Sequence, residues 1–249
     1  MTTETKAVTR RRLHNGDHLS VTRVIKDSHE FYHVFGKENY ISVQVKILEF
    51  LKKNGLPTIL FAPLEEYYFL AKKHFPLAIE TITRKYASSD YLKRNNFYEE
   101  GQILPSITTE FLIYKEKKKH LLKSHGQERH GVYDRYTFNK YLEEEVNLKD
   151  FLGARYFEAM EDMDLLSQRA FSILEKIFPD LSELELEFSF ERTKRYEGNL
   201  EIFSLDLMIS DFDIELKDNK KVSHKKGKNS LENEILNKNL LEILNRKLF

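Results

Sequence analysis

Residues 78–101 restrict this chain more than any other stretch. Ala78 to Arg84 alternates as a strand does and ends on an arginine. Lys93-Arg94 follows ten residues later, across the small-residue turn Ala87-Ser88-Ser89, and Glu99-Glu100-Gly101 then makes an acidic turn. Two arginines so separated, Arg84 and Arg94, can converge on one anion. Each planar guanidinium can bind carboxylate or phosphate bidentately. A fold that contains this stretch therefore needs a strand, a tight turn and room for an acidic ligand between two basic groups.

The bulk composition narrows the rest. The 249 residues suit one large domain or two small lobes sharing a cleft. Forty basic and forty acidic residues leave no net charge, which argues against a dominant nucleic-acid surface. With 41% hydrophobic and 12% aromatic residues, a core can form. There is no cysteine, so disulfides, thiolate metal sites and cysteine nucleophiles are excluded. The first residues lack the apolar run of a signal peptide, and no apolar segment reaches membrane-spanning length; the expectation is a cytoplasmic protein.

Residues 1–12, ending in Arg10-Arg11-Arg12, read as a loose tail or an edge. Residues 18–35 alternate around Asp27-Ser28 and predict a hairpin. From Tyr40 to Asn54, Ile41, Val45, Leu48 and Leu51 mark a helical face, and Gly55 with Pro57 stops the helix. Thr58–Ala62 is a short strand, residues 64–75 a compact connection or short helix, and Thr108–Lys115 another strand. The polar, Lys/His-rich residues 115–130 read as a mobile loop. A long helix runs from Ala154 to Phe178 and is closed by Pro179. Leu184–Phe190 and Leu200–Ser210 pair around the Tyr196-Glu197-Gly198-Asn199 turn. Residues 217–228 are a Lys-rich loop, and a last helix starts after Asn229 as N-cap with Glu232 at N3. The class is α+β rather than a regular parallel alternation.

Glu187 and Asp206 lie in that acidic hairpin. Two carboxylates on adjacent strands can share a hard divalent cation such as Mg²⁺; an exposed acidic face is the alternative reading of the same residues. His120, His125 and His130 recur every five residues, a spacing that fits neither a helix face nor a strand face, so a solvated loop is the better reading than zinc. Gly36-Lys37 lacks the glycine spacing of a phosphate-binding P-loop, and no nucleophile-elbow motif is present.

Residues 80–101 resemble the E-V-V-V-R-N-x-A-x-G-S-x-x-x-R…E-E-G signature of the SAICAR synthetase family, ATP-dependent ligases of purine biosynthesis. Phe35-Gly36-Lys37-Glu38-Asn39-Tyr40-Ile41-Ser42, with Leu51 through Gly55-Leu56-Pro57-Thr58, resembles the family's G-K-G-E-x-N-N-Q-I-S…L-x-x-x-G-I-P-T. Leu70-Ala71-Lys72-Lys73 resembles L-V-K-K, Glu185-Leu186-Glu187-Phe188 resembles K-L-E-F, and Asp206 to Asp211 resembles D-E-I-S-P-D. The order is consistent over residues 13–245.

The resemblance implies a two-lobed α+β fold with antiparallel sheets flanking a nucleotide cleft. Residues 1–77 would form a small β-rich lobe and 78–249 a larger one. It implies ATP and Mg as cofactors, with Lys72, Lys73, Glu187 and Asp206 at the nucleotide and Glu187 and Asp206 on the metal. Arg84, Ser89, Asp90, Arg94 and Asp211 would bind a carboxylate-bearing small molecule. No nucleic-acid or membrane partner is implied, and a homo-oligomer remains open. The activity would join a carboxylate to an amine. Asp17 and Glu185 stand where the family has lysine, Asp90 where it has serine, Leu207 where it has glutamate and Ile214 where it has arginine. These departures point to an altered substrate. They also keep two alternatives in view, a non-catalytic binding member and a small-molecule kinase.

Overall fold

The structure is a computed structural model and describes residues 5–12, 18–26, 29–35, 38–65, 68–93, 95–115, 128–133, 156–197, 200–217 and 230–248. The chain opens with three antiparallel strands, β1 (Thr5–Arg12), β2 (His18–Lys26) and β3 (His29–Phe35). Helix α1 (Glu38–Lys53) follows, then β4 (Leu60–Glu65) and β5 (Tyr68–Lys72). These strands make one five-stranded sheet in the order β1-β2-β3-β5-β4. The arginine-rich start of the chain is thus an edge strand. Residues 68–72, expected to lie in a connection or short helix, form a strand between β3 and β4. Two open sheet edges outweigh the weak helical preference of Leu-Ala-Lys-Lys.

The second sheet starts almost at once. It holds β6 (Phe75–Tyr86), β7 (Ile103–Lys115), β8 (Glu128–Tyr133), β9 (Leu181–Glu197) and β10 (Leu200–Leu216), ordered β10-β9-β6-β7-β8 with every pair antiparallel. β8 corrects the reading of 115–130 as loop throughout. Its polar start, Glu128-Arg129-His130, masked the edge-strand pairing with β7; residues 116–127 lie outside the described residues. The one-turn helix α2 (Ser89–Leu92) joins β6 to β7. Helices α3 (Tyr156–Leu174) and α4 (Ser230–Leu248) complete the order. The expected cap of α4 at Asn229 lies outside the described residues.

Period-2 alternation explains how the second sheet is covered. Leu184, Leu186 and Phe188 on β9 and Phe212 and Ile214 on β10 are buried on one face. Helix α3 packs there with Met163, Ala170, Phe171 and Leu174. A hydroxyl pair fixes its position: Ser167 Oγ donates to the Met163 carbonyl at 2.6 Å, so the Thr81 hydroxyl, 2.6 Å away, donates to Ser167. Helix α1 buries Ile41, Ile47, Leu48 and Leu51, and Leu240 and Leu244 of α4 join the same apolar cluster. α1 ends in a Schellman turn. The Leu56 amide reaches the Leu51 carbonyl and the Gly55 amide the Lys52 carbonyl, both at 3.0 Å, with Gly55 at φ 80°. Just beyond, the Ile209 amide donates to the Pro57 carbonyl and the Ile59 amide to the Ile209 carbonyl, each at 3.0 Å. That link stitches the first sheet's connection to β10 of the second.

Candidate functional site

The second sheet's other face carries charge. Register places Arg84 of β6 opposite Glu183 of β9, while Ile82 is opposite Glu110 of β7 and Glu185 of β9. Arg84 is only 2% exposed. Its Nε and Nη2 donate to Glu183 Oε2 at 3.0 and 2.9 Å, and its Nη1 donates to Glu110. The guanidinium lies over the Tyr91 ring, 5.3 Å from its centroid. Burial opposes the charge, but the fields and hydrogen bonds of Glu183 and Glu110 override it and raise the Arg84 pKa above its ordinary value.

The turn beyond Arg84 is closely knit. Ser88 caps α2 by accepting from the Tyr91 amide at 3.4 Å. The Ala87 amide donates to the Gln102 carbonyl and the Gly101 amide to the Ala87 carbonyl, both at 2.8 Å, with Gly101 at φ 77°. Ser89 and Asp90 face outward, and Asp90 is bonded to Lys93 at 2.7 Å with both side chains well exposed. The pairing of Arg84 with Arg94 on one anion is left untested by this geometry. Arg84 turns inward onto two carboxylates, while Ser89 and Asp90 sit on the solvent side of α2. Arg94 lies outside the described residues.

Glu187 and Asp206 are also separated. Asp206 is opposite Glu191, and Glu187 is opposite Asp211. Four residues of strand are about 13 Å, too far for one ion to bridge Glu187 and Asp206. Among the described residues no three His, Asp or Glu side chains cluster for a metal. Asp206 instead accepts from Thr193 Oγ1 at 2.9 Å. Asp211 is buried, accepts from Gln44 Nε2 at 3.3 Å, and shares a row with Glu187 and Glu80 across β10, β9 and β6.

Lys72, at the end of β5, bonds Glu191 Oε2 at 2.8 Å and so joins the first sheet to β9; Lys73 is half-buried beside it. Glu185 is buried on the charged face, but Ile214 points the other way, into the core. An arginine at that register would enter the α3-covered interior. Leu13–Asp17, Lys220 and Lys221 lie outside the described residues. Lys217 stacks on Tyr86 at 4.4 Å. Sequence reasoning missed Glu110, Glu183, Glu191 and Gln44. The first three were available as the outward positions of Thr109-Glu110-Phe111 and of the alternation that runs from Glu183 through Glu187 and Ser189 to Glu191.

The SAICAR synthetase family profile matches residues 36–152. That stretch, just under half of the chain, is similar to the SAICAR synthetase family. The chain is 27% identical over 158 residues to the phosphoribosylaminoimidazole-succinocarboxamide synthase of Methanocaldococcus jannaschii, a match covering 64% of this chain and 56% of that relative. The fold is shared with solved SAICAR synthetases. The Ehrlichia chaffeensis phosphoribosylaminoimidazole-succinocarboxamide synthase superposes with a TM-score of 0.56 at 17% identity, over 90% of this chain and 95% of that one. A type-2 SAICAR synthetase in complex with ADP superposes with a TM-score of 0.59 at 14% identity, over 97% and 98%. The α+β class and the antiparallel sheets are those of this family.

Proposed function

We propose that this chain is an ATP-dependent ligase that joins a carboxylate to an amine, acting on an altered, carboxylate-bearing substrate. The observation that carries this reading is the preserved two-sheet family architecture, with Lys72 of the first sheet brought against the carboxylate face of β9 and β10. The ADP complex of a protein with this fold supports nucleotide binding by this chain, which we place between the two sheets. The lobes at 1–77 and 78–249 would flank it.

The donor set suits a hard cation that accompanies a nucleotide. Glu187 and Asp211 face each other across β9 and β10, and Mg²⁺ needs only one or two carboxylates when phosphates and waters complete its shell. Glu187 with Asp211, rather than with Asp206, would hold it. Bound Mg-ATP would supply the activated phosphoryl group. Lys72 and Lys73 would orient phosphate, and Gln44 would fix the Asp211 carboxylate through its amide.

A second reading, a family member that binds without catalysis, is favoured by one observation. Lys72 is already paired with Glu191, and Arg84 with Glu110 and Glu183. Titration calorimetry with Mg-ATP separates the readings. Binding that Glu187→Gln weakens, together with ATP consumption driven by a carboxylate and an amine, is expected of the ligase. Binding without turnover on any such pair would favour the binder, and no binding at millimolar nucleotide would end both the ligase and the kinase alternative.

A further inference from the structure

The partners of Arg84 decide what it can do for a ligand. Three of its N–H groups are spent on two glutamates, and one face of the guanidinium is closed by Tyr91. The side chains of Arg84, Glu110 and Glu183 are 2%, 3% and 13% exposed, so water screens this group poorly. With one positive and two negative charges, an approaching phosphate would meet a net negative group. To reach the fork it would have to displace a carboxylate held by charge-assisted hydrogen bonds.

We propose that Glu110 and Glu183 are specificity-determining residues. They occupy the Arg84 guanidinium as internal counter-anions, so the part of the acceptor nearest Arg84 is uncharged or cationic rather than a phosphate monoester. Arg84 is then a positioning residue. It clamps β7 and β9 to β6 and seats Tyr91, which holds the α2 turn at the rim of the sheet. This deepens the ligase reading and rests on it only in taking this sheet face as part of the substrate cleft.

The test uses ribose 5-phosphate as the probe. In wild-type protein, the Arg84 Nε–Hε resonance should not move when millimolar ribose 5-phosphate is added. Glu183→Gln keeps a hydrogen-bonding side chain but removes one negative charge. It should bring phosphate binding that shifts the Arg84 resonance, at least about tenfold tighter than wild type by calorimetry. A saturable shift of Arg84 in the wild-type protein would overturn the proposal. So would a folded Glu183→Gln variant that binds the sugar phosphate no better than wild type. If that variant does not fold, the wild-type titration decides alone. Mg-ATP is titrated in parallel, so a protein that ignores ATP would sink the ligase reading and leave the Arg84 result standing.

Discussion

Replacing Arg84 by methionine tests the buried ion group directly. The substitution keeps much of the side-chain volume and removes the charge. It leaves Glu110, 3% exposed, and Glu183, 13% exposed, facing each other across the vacated site. Breaking a buried pair by deleting one partner typically costs about 3–5 kcal/mol, because the remaining charge stays desolvated. Here two carboxylates are orphaned and Tyr91 loses its cation, which places the cost toward the upper end of that range. For a chain of this length, about 2–4 °C of melting temperature is lost per kcal/mol, so Arg84→Met should melt about 10 °C or more below wild type. Chemical denaturation followed by circular dichroism gives the free energy. The cost should fall sharply when Glu110→Leu and Glu183→Leu are added, since removing every charge of a buried group is often near neutral. A loss of under about 1 kcal/mol for Arg84→Met would be the behaviour of a surface pair and would refute the buried geometry.

Other consequences can be measured in the same assay. Gly55→Ala should cost about 1 kcal/mol, since φ 80° penalises a Cβ although no atom lies within 4 Å of it; an unchanged denaturation midpoint would contradict the Schellman turn. Ser167→Ala should cost about 1–3 kcal/mol by leaving the buried Thr81 hydroxyl without its acceptor, and restoration by adding Thr81→Val would confirm the pairing. Leu48→Ala should cost about 2–5 kcal/mol through the cavity left under α1, with little change in the α1 amide signals outside that turn. Lys85 has its pKa raised above 10.5 by its hydrogen bond to Glu175, with burial opposing. The stability it contributes is complete below the unfolded value and is lost as pH rises through the folded one. The gap between wild type and Lys85→Met, under about 1 kcal/mol for so exposed a pair, should hold from neutral pH and close above pH 10.5.

The elements were legible where one period ran unbroken. α1, α3 and the β9–β10 hairpin follow directly from Ile41 to Leu51, Met160 to Leu174 and Leu184 to Phe188. They failed where tertiary pairing chose between weak preferences, as at β5, or where polar side chains hid an edge strand, as at β8. The site was less legible because a motif records which residues occur and not which face they take. Arg84 carries the expected residue type, yet its orientation depends on Glu183, 99 positions later in the chain. Asp90 and Ile214 were both readable as departures from the family's serine and arginine at a ligand site. Register and exposure place the first on the surface and the second in the core.

A single strand face accounts for most of the altered electrostatics. Glu183, Glu185, Glu187 and Glu191 all project from the same side of β9, because their spacing is even and β9 alternates without a break. Its two ends meet different sheets. Glu183 neutralises Arg84 within the second sheet, and Glu191 neutralises Lys72 from the first. Between them stand Glu185, where the family resemblance calls for a lysine, and Glu187, which the resemblance assigns to the metal. A lysine at 185 would put a cation at the centre of this row, whereas glutamate extends the negative potential along its whole length. On the proposed reading, β9 would set the charge of a bound ligand, because its outward positions supply counter-charges to Lys72 and Arg84. Glu185→Lys is the sharpest perturbation of that row. It should raise affinity for inorganic phosphate or ribose 5-phosphate by about tenfold while leaving the Arg84 resonance unshifted, because Arg84 keeps both of its glutamates. If Glu185→Lys leaves anion affinity unchanged in a folded protein, the strand face does not govern ligand charge.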